Sequence, residues 1–115
     1  MTERELNTLL LEAFPELEED FEEYTSWQDG IDTGCFLTYE DVLLARAIKS
    51  FEGHDSAFEK RVGDFIEGLI TSGDEYAENL AYVALLEGLK AFVNNEDVRP
   101  ILGPVSLKEF DGLAY

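Results

Sequence analysis

A chain of 115 residues makes one domain, and that length buries a core without disulfides or metals. Hydrophobic residues make up 45%, which excludes intrinsic disorder despite the charge. Asp and Glu number 26 against 8 Lys and Arg, a net charge of −18, which argues against nucleic acid and anionic membranes as partners and for a basic one.

Thr2 followed by Glu5 predicts a capping box, and Leu6, Leu9, Leu10 and Ala13 then fall on one helical face. Pro15 breaks the pattern and opens a second helix, in which Leu17, Phe21 and Tyr24 line one side and Glu16, Glu18, Glu19, Asp20, Glu22 and Glu23 cover the rest. Residues 28–37 read as turn chemistry with two glycines, and Gly34–Tyr39 carries the chain's weak β-like character. Thr38 with Asp41 predicts a cap for a helix running to about Phe51, with Gly53 as its stop. Ser56 with Glu59 opens the next helix, which carries Phe58, Val62, Phe65, Ile66, Leu69 and Ile70 on one face and ends at Gly73. Asp74 caps the segment 75–93, apolar nearly all round and so expected to be central, with Glu87 on a partly buried face in need of donors. A tail of Val98, Ile101 and Leu102 precedes Gly103, and Ser106 with Glu109 predicts a last short cap. Gly63, Gly68 and Gly88 fall inside helices, where close helix approach would account for them. The expectation is an all-α, single-domain antiparallel bundle or short superhelical stack of five to six helices over residues 1–115.

Reactive chemistry is sparse. One cysteine, Cys35, and one histidine, His54, exclude an internal disulfide and Cys-rich zinc sites, and neither sits in a nucleophile motif. Asp29–Glu40 has the length of an EF-hand loop with Asp29, Thr33, Gly34 and Glu40 in register, but Ile31 and Leu37 stand at ligand positions. A plain helix connector is therefore preferred, and no metal or cofactor is expected. No phosphate-binding loop or dinucleotide fingerprint is present, so no enzyme activity is expected. The N-terminus is charged rather than signal-like and no apolar run reaches bilayer length, which points to a cytoplasmic protein, monomeric or homodimeric.

Residues 1–45 hold 13 acids against a single base, Arg4. The densest run adjoins two aromatics, Tyr24 and Trp27, and aromatic residues in charged surroundings anchor interfaces. The expected partner-binding set is Glu18, Glu19, Glu22, Glu23, Asp29 and Asp32 for the partner's Lys and Arg, with Tyr24 and Trp27 as the desolvated anchor.

Four stretches carry a resemblance: Leu11–Leu17 (LEAFPEL), Phe36–Leu43 (FLTYEDVL), Asp74–Leu80 (DEYAENL) running into Leu85–Leu89 (LLEGL), and Leu102–Leu107 (LGPVSL). Together they resemble a family of small acidic bacterial helical proteins of uncharacterised activity, similar to the immunity proteins of polymorphic or contact-dependent toxin systems. The resemblance implies an inhibitor that covers a basic toxin domain, such as a nuclease, with carboxylates in place of a phosphate backbone. It supplies no catalytic residues, and it implies structural roles for Asn79 and Glu87. The family continues in an aromatic-ending helix, whereas here Asp111–Tyr115 stops short. The alternative function is a helical adaptor or structural subunit, whose contacts would be insensitive to salt.

Overall fold

Thr2 begins the first helix as the sequence predicts. Its Oγ1 accepts the Glu5 N–H at 3.1 Å while the Glu5 carboxylate accepts the Thr2 N–H at 3.0 Å, a reciprocal cap on α1 (Glu3–Ala13). The computed structural model describes residues 1–113. Leu6 and Leu10 of α1 and the following Phe14 are fully buried. Pro15 starts a 3-10 turn, Pro15–Leu17, that feeds α2 (Glu18–Thr25), as expected of a residue with fixed φ at a helix entry. α2 turns Phe21 and Thr25 inward, and the Thr25 hydroxyl donates to the Phe21 carbonyl at 2.8 Å.

Residues 26–34 form a loop with a 3-10 turn at Gly30–Asp32, where Gly30 takes φ +58°. α3 spans residues 35–52 as three continuous segments: Cys35–Thr38, a π-helical turn at Tyr39–Leu44, and Ala45–Glu52. α4 is Ser56–Ile70. α5 spans residues 75–92 with the same construction: Glu75–Leu80, a π-helical turn at Ala81–Leu86, and Glu87–Phe92. α6 (Asn95–Val98) runs into a 3-10 turn at Arg99–Ile101, and α7 (Pro104–Asp111) follows. The described residues are thus all-helical. The structure places α5 against α3, α4 and α7, the central position its all-round apolar sequence predicts. Its Leu80, Leu85, Leu86 and Leu89 are fully buried, together with Tyr39, Leu43, Ile66 and Phe110.

Three predicted helix starts move. Cys35–Tyr39 is helix rather than strand, with Gly34 just before it, and Thr38 lies inside α3 instead of capping it. The cap is supplied from α1, whose Glu3 Oε2 accepts the Cys35 N–H. Thr38 is instead fully buried and donates to Asn7 Oδ1 at 2.5 Å. Asn7 Nδ2 in turn donates to the carbonyls of Ile31 and Thr33 at 2.9 and 2.7 Å, so one buried amide fixes the 26–34 loop against α1 and α3. α4 is capped by Asp55, which accepts the Phe58 N–H at 3.2 Å, one residue before the predicted Ser56. α7 begins at Pro104 rather than at Ser106. Its N-terminal N–H groups are met by Glu67 of α4, which accepts from Ser106 N and Oγ, each at 2.8 Å. Asp74 does cap α5, through the Tyr76 N–H at 3.1 Å.

Of the three helix-interior glycines, two mark close approach. A Cβ at Gly63 would fall 1.9 Å from the Ile101 carbonyl oxygen, and one at Gly88 would fall 2.3 Å from Leu44 Cδ2. Gly68 has open space around it. Of the stretch Asp111–Tyr115, in which the chain was expected to depart from the family, Ala114 and Tyr115 lie outside the described residues.

Candidate functional site

α2 presents its charge outward because Phe21 and Thr25 point in. At 3.6 residues per turn, Glu19 and Glu23 lie about 160° round the helix from Phe21, with Glu18 and Glu22 on one shoulder. All four side chains are exposed, and among the described residues no Lys or Arg pairs with them. Carboxylates in the first turn are favoured by the helix dipole, but those at i, i+4 repel one another. The neighbouring Glu16 differs: Arg61 of α4 clasps it with two bonds at 2.5 and 2.9 Å, and that guanidinium holds its carboxyl below the usual range.

Trp27 lies just past the end of α2 and is 92% exposed. A scattered small apolar residue on a surface is ordinary, but an indole left almost wholly in water is not. Tyr24 is half-buried on the flank toward α3, and its hydroxyl donates to Asp41 Oδ2 at 2.5 Å. That hydrogen bond raises the tyrosine's pKa and ties α2 to α3. Asp29 is exposed in the loop. Asp32 separates from the predicted set: Arg4 binds both its oxygens, at 2.9 and 2.8 Å, and holds its carboxyl below the usual range. It fastens the loop to α1 and stays half-exposed, so a partner's cations would compete with Arg4 for it.

The structure adds residues the sequence reading missed. A small depression beside α2 is lined by Asp20, Tyr24, Asp41, Ala45, Arg46 and Lys49. It shares Asp41 and Ala45 with a groove of about 360 Å³ between α3 and α5, whose walls include Glu40, Leu44, Ile48, Val83 and Phe92. Phe92 is 71% exposed. A helix more apolar than one buried face requires was the available signal for it. A wider depression of about 850 Å³ lies at the start of α5 and α7. Several of its polar groups already serve the fold, since Asp74 caps α5 and the Tyr76 hydroxyl donates to Glu3.

Of the residues that matched an EF-hand register, Thr33 is buried with its hydroxyl accepting the Asp29 N–H, and Glu40 lies within the π turn of α3. Among the described residues no group of three or more His, Cys, Asp and Glu side chains is placed to share an ion. Cys35 is buried, and burial pushes its thiol up to about 12, so it carries no thiolate at neutral pH. Among the described residues no helix is long and apolar enough to cross a membrane.

Residues 7–114 match the model of a domain of unknown function, DUF7674. The chain belongs to that family. No curated protein and no solved structure matches it. The family description carries no activity, so the functional reading rests on the surface of this DUF7674 domain itself.

Proposed function

We propose that this domain is a non-enzymatic protein-binding module that takes a basic protein partner on its α2 face, as an immunity-type inhibitor of a bacterial toxin domain. The observation that carries the reading is Trp27, 92% exposed just past the C-terminal end of the helix that carries four outward carboxylates, to which, among the described residues, no Lys or Arg is paired. An exposed aromatic following a helix of uncompensated charge of one sign is the composition of a steered, salt-sensitive interface. Glu18, Glu19, Glu22 and Glu23 meet the partner's Lys and Arg, Asp29 extends the acidic surface, and Trp27 is the desolvated contact. Tyr24 holds α2 in place through Asp41 and offers its ring edge. Against a nuclease domain these carboxylates would occupy the places of substrate phosphates.

The test is capture of partners from the native host on immobilised protein at low salt, with elution by salt and identification by mass spectrometry. Wild type is run beside Glu19→Lys/Glu22→Lys and Trp27→Ala. The reading expects one stoichiometric basic partner, lost with both variants, whose activity the wild-type protein inhibits. A partner retained by both variants, or a complex that survives high salt, refutes the α2 placement and favours the adaptor function.

A further inference from the structure

A groove of about 360 Å³ runs between α3 and α5. Along α3, Glu40, Leu44 and Ile48 recur every four residues, so they form one continuous edge about 12 Å long. Across from them stand Val83 and Phe92 of α5, 38% and 71% exposed. Ala45, Ala84 and Gly88 keep the floor low. Gly88 is there because Leu44 occupies the place of its side chain. The two π-helical turns, Tyr39–Leu44 and Ala81–Leu86, pack against each other under this groove, and π turns recur where a helix is adapted to a binding role.

We infer that this groove docks an amphipathic helix of the partner, its apolar stripe seated over Ile48, Val83 and Phe92 and its Lys or Arg side chains directed at Glu40 and Asp41. The inference rests on the reading that the partner is basic. Charge complementarity selects the occupant: among the described residues, Glu40 and Asp41 are the titratable groups that line the groove, and no Lys or Arg does. A second copy of this chain would bring a net charge of −18 against that acidic rim. The described residues offer no strand edge for an extended peptide to join, whereas a groove between helices accepts anchors spaced i, i+3, i+4, i+7.

The probe is a fluorescein-labelled synthetic helix of about 18 residues, leucine at the four anchor positions of each repeat and lysine elsewhere. A permuted isomer of identical composition has no apolar stripe, and a third peptide carries glutamate in place of lysine. Binding to the full chain is read by fluorescence anisotropy. The lysine helix is expected to bind about tenfold tighter than its permuted isomer, and Phe92→Asp or Val83→Asp to abolish that preference. Glu19→Lys/Glu22→Lys should weaken both lysine peptides alike. Equal affinity for the two isomers, a preference that survives Phe92→Asp, equal binding of the glutamate helix, or no binding of any peptide overturns the inference. So does a concentration-dependent dimer in sedimentation that Phe92→Asp dissociates, because a second copy then fills the groove. Failure of the groove is separable from failure of the α2 reading: a host partner lost with Glu19→Lys/Glu22→Lys but indifferent to Phe92→Asp refutes the groove alone.

Discussion

Two glycines five residues apart in α4 should respond to the same substitution with opposite signs. Gly63 faces the 3-10 turn at Arg99–Ile101, and its added Cβ would sit 1.9 Å from the Ile101 carbonyl oxygen and 2.7 Å from the carbonyl carbon. A carbon and an oxygen in ordinary contact stand about 3.3 Å apart, so the turn must retreat by roughly 1.4 Å. The obstacle is backbone, which cannot rotate aside as a side-chain end can. Ile101 is itself buried, so its retreat opens the packing beneath it. Overpacking of this kind costs about 1–3 kcal/mol or somewhat more, against a gain of up to about 1 kcal/mol from replacing a helical glycine. Gly63→Ala is therefore expected to lose about 2 kcal/mol net. Gly68 has no atom within 4 Å of the same position, so Gly68→Ala keeps the propensity gain and stabilises by about 0.5–1 kcal/mol.

Urea unfolding of the three proteins, with a common m-value, gives the comparison directly. For a chain of this length the thermal midpoint should fall by about 8 °C in Gly63→Ala and rise by about 2–4 °C in Gly68→Ala. A Gly63→Ala protein as stable as wild type would refute the close approach of α4 to the Arg99–Ile101 turn. Two shifts of the same sign would refute the reasoning altogether.

Acid should unfold the domain through its capping carboxylates. Burial opposes ionisation of Glu67, but the hydrogen bonds from Ser106 and Val105 outweigh it and hold its carboxyl below the usual range. Burial and the bonds from Tyr76 and the Cys35 N–H combine in the same way at Glu3. Groups depressed in the folded state contribute stability above the unfolded value of about 4.3 and lose it as pH falls through the folded value. The urea midpoint should therefore drop between about pH 5 and pH 3, and Glu67→Gln should flatten that drop. Cys35 should resist iodoacetamide at neutral pH and react once urea is added, as read by intact mass. Rapid alkylation of the native protein would contradict both its burial and the raised pKa. Trp27→Ala should change stability by less than about 0.5 kcal/mol, so that any loss of partner binding in that variant reports the surface and not the fold.

Helices whose start signals are local were legible in the sequence. Thr2 and Glu5 cap α1 as spaced, Asp74 caps α5, and Gly53 ends α3. Helices capped from elsewhere were not. Glu3 reaches Cys35 across 32 residues and Glu67 reaches Ser106 across 39, and no spacing rule encodes such distances. Asn7 was equally hidden, because a polar residue next to Leu6 reads as solvent face until the carbonyls of Ile31 and Thr33 arrive to meet it. The same division holds for the surface. α2 carries five acids among eight consecutive residues and could be read directly. The groove exists only where α3 and α5 meet, and its trace in the sequence was an excess of apolar residues in α5 that burial alone does not use.

The four arginines of this chain show where the fold neutralises charge between elements, whereas Lys60 pairs with Asp64 within α4. Arg4 joins α1 to Asp32 of the loop, Arg61 joins α4 to Glu16 and the Ala13 carbonyl, and Arg99 joins the turn after α6 to Asp111 of α7. Arg46 faces Asp55 at the entry to α4. Each lies at a junction between elements, and two also stack on core aromatics, Arg61 over Phe14 and Arg46 over Phe58. None is placed on the outer face of α2, where neutralising one glutamate would relieve repulsion at no cost in packing. Stability alone would favour a lysine there. The unpaired charge is instead concentrated beside an indole held in water, and a cationic partner relieves both conditions in a single contact. That coincidence, more than the total charge, is why the α2 face and not the chain at large is the surface to test.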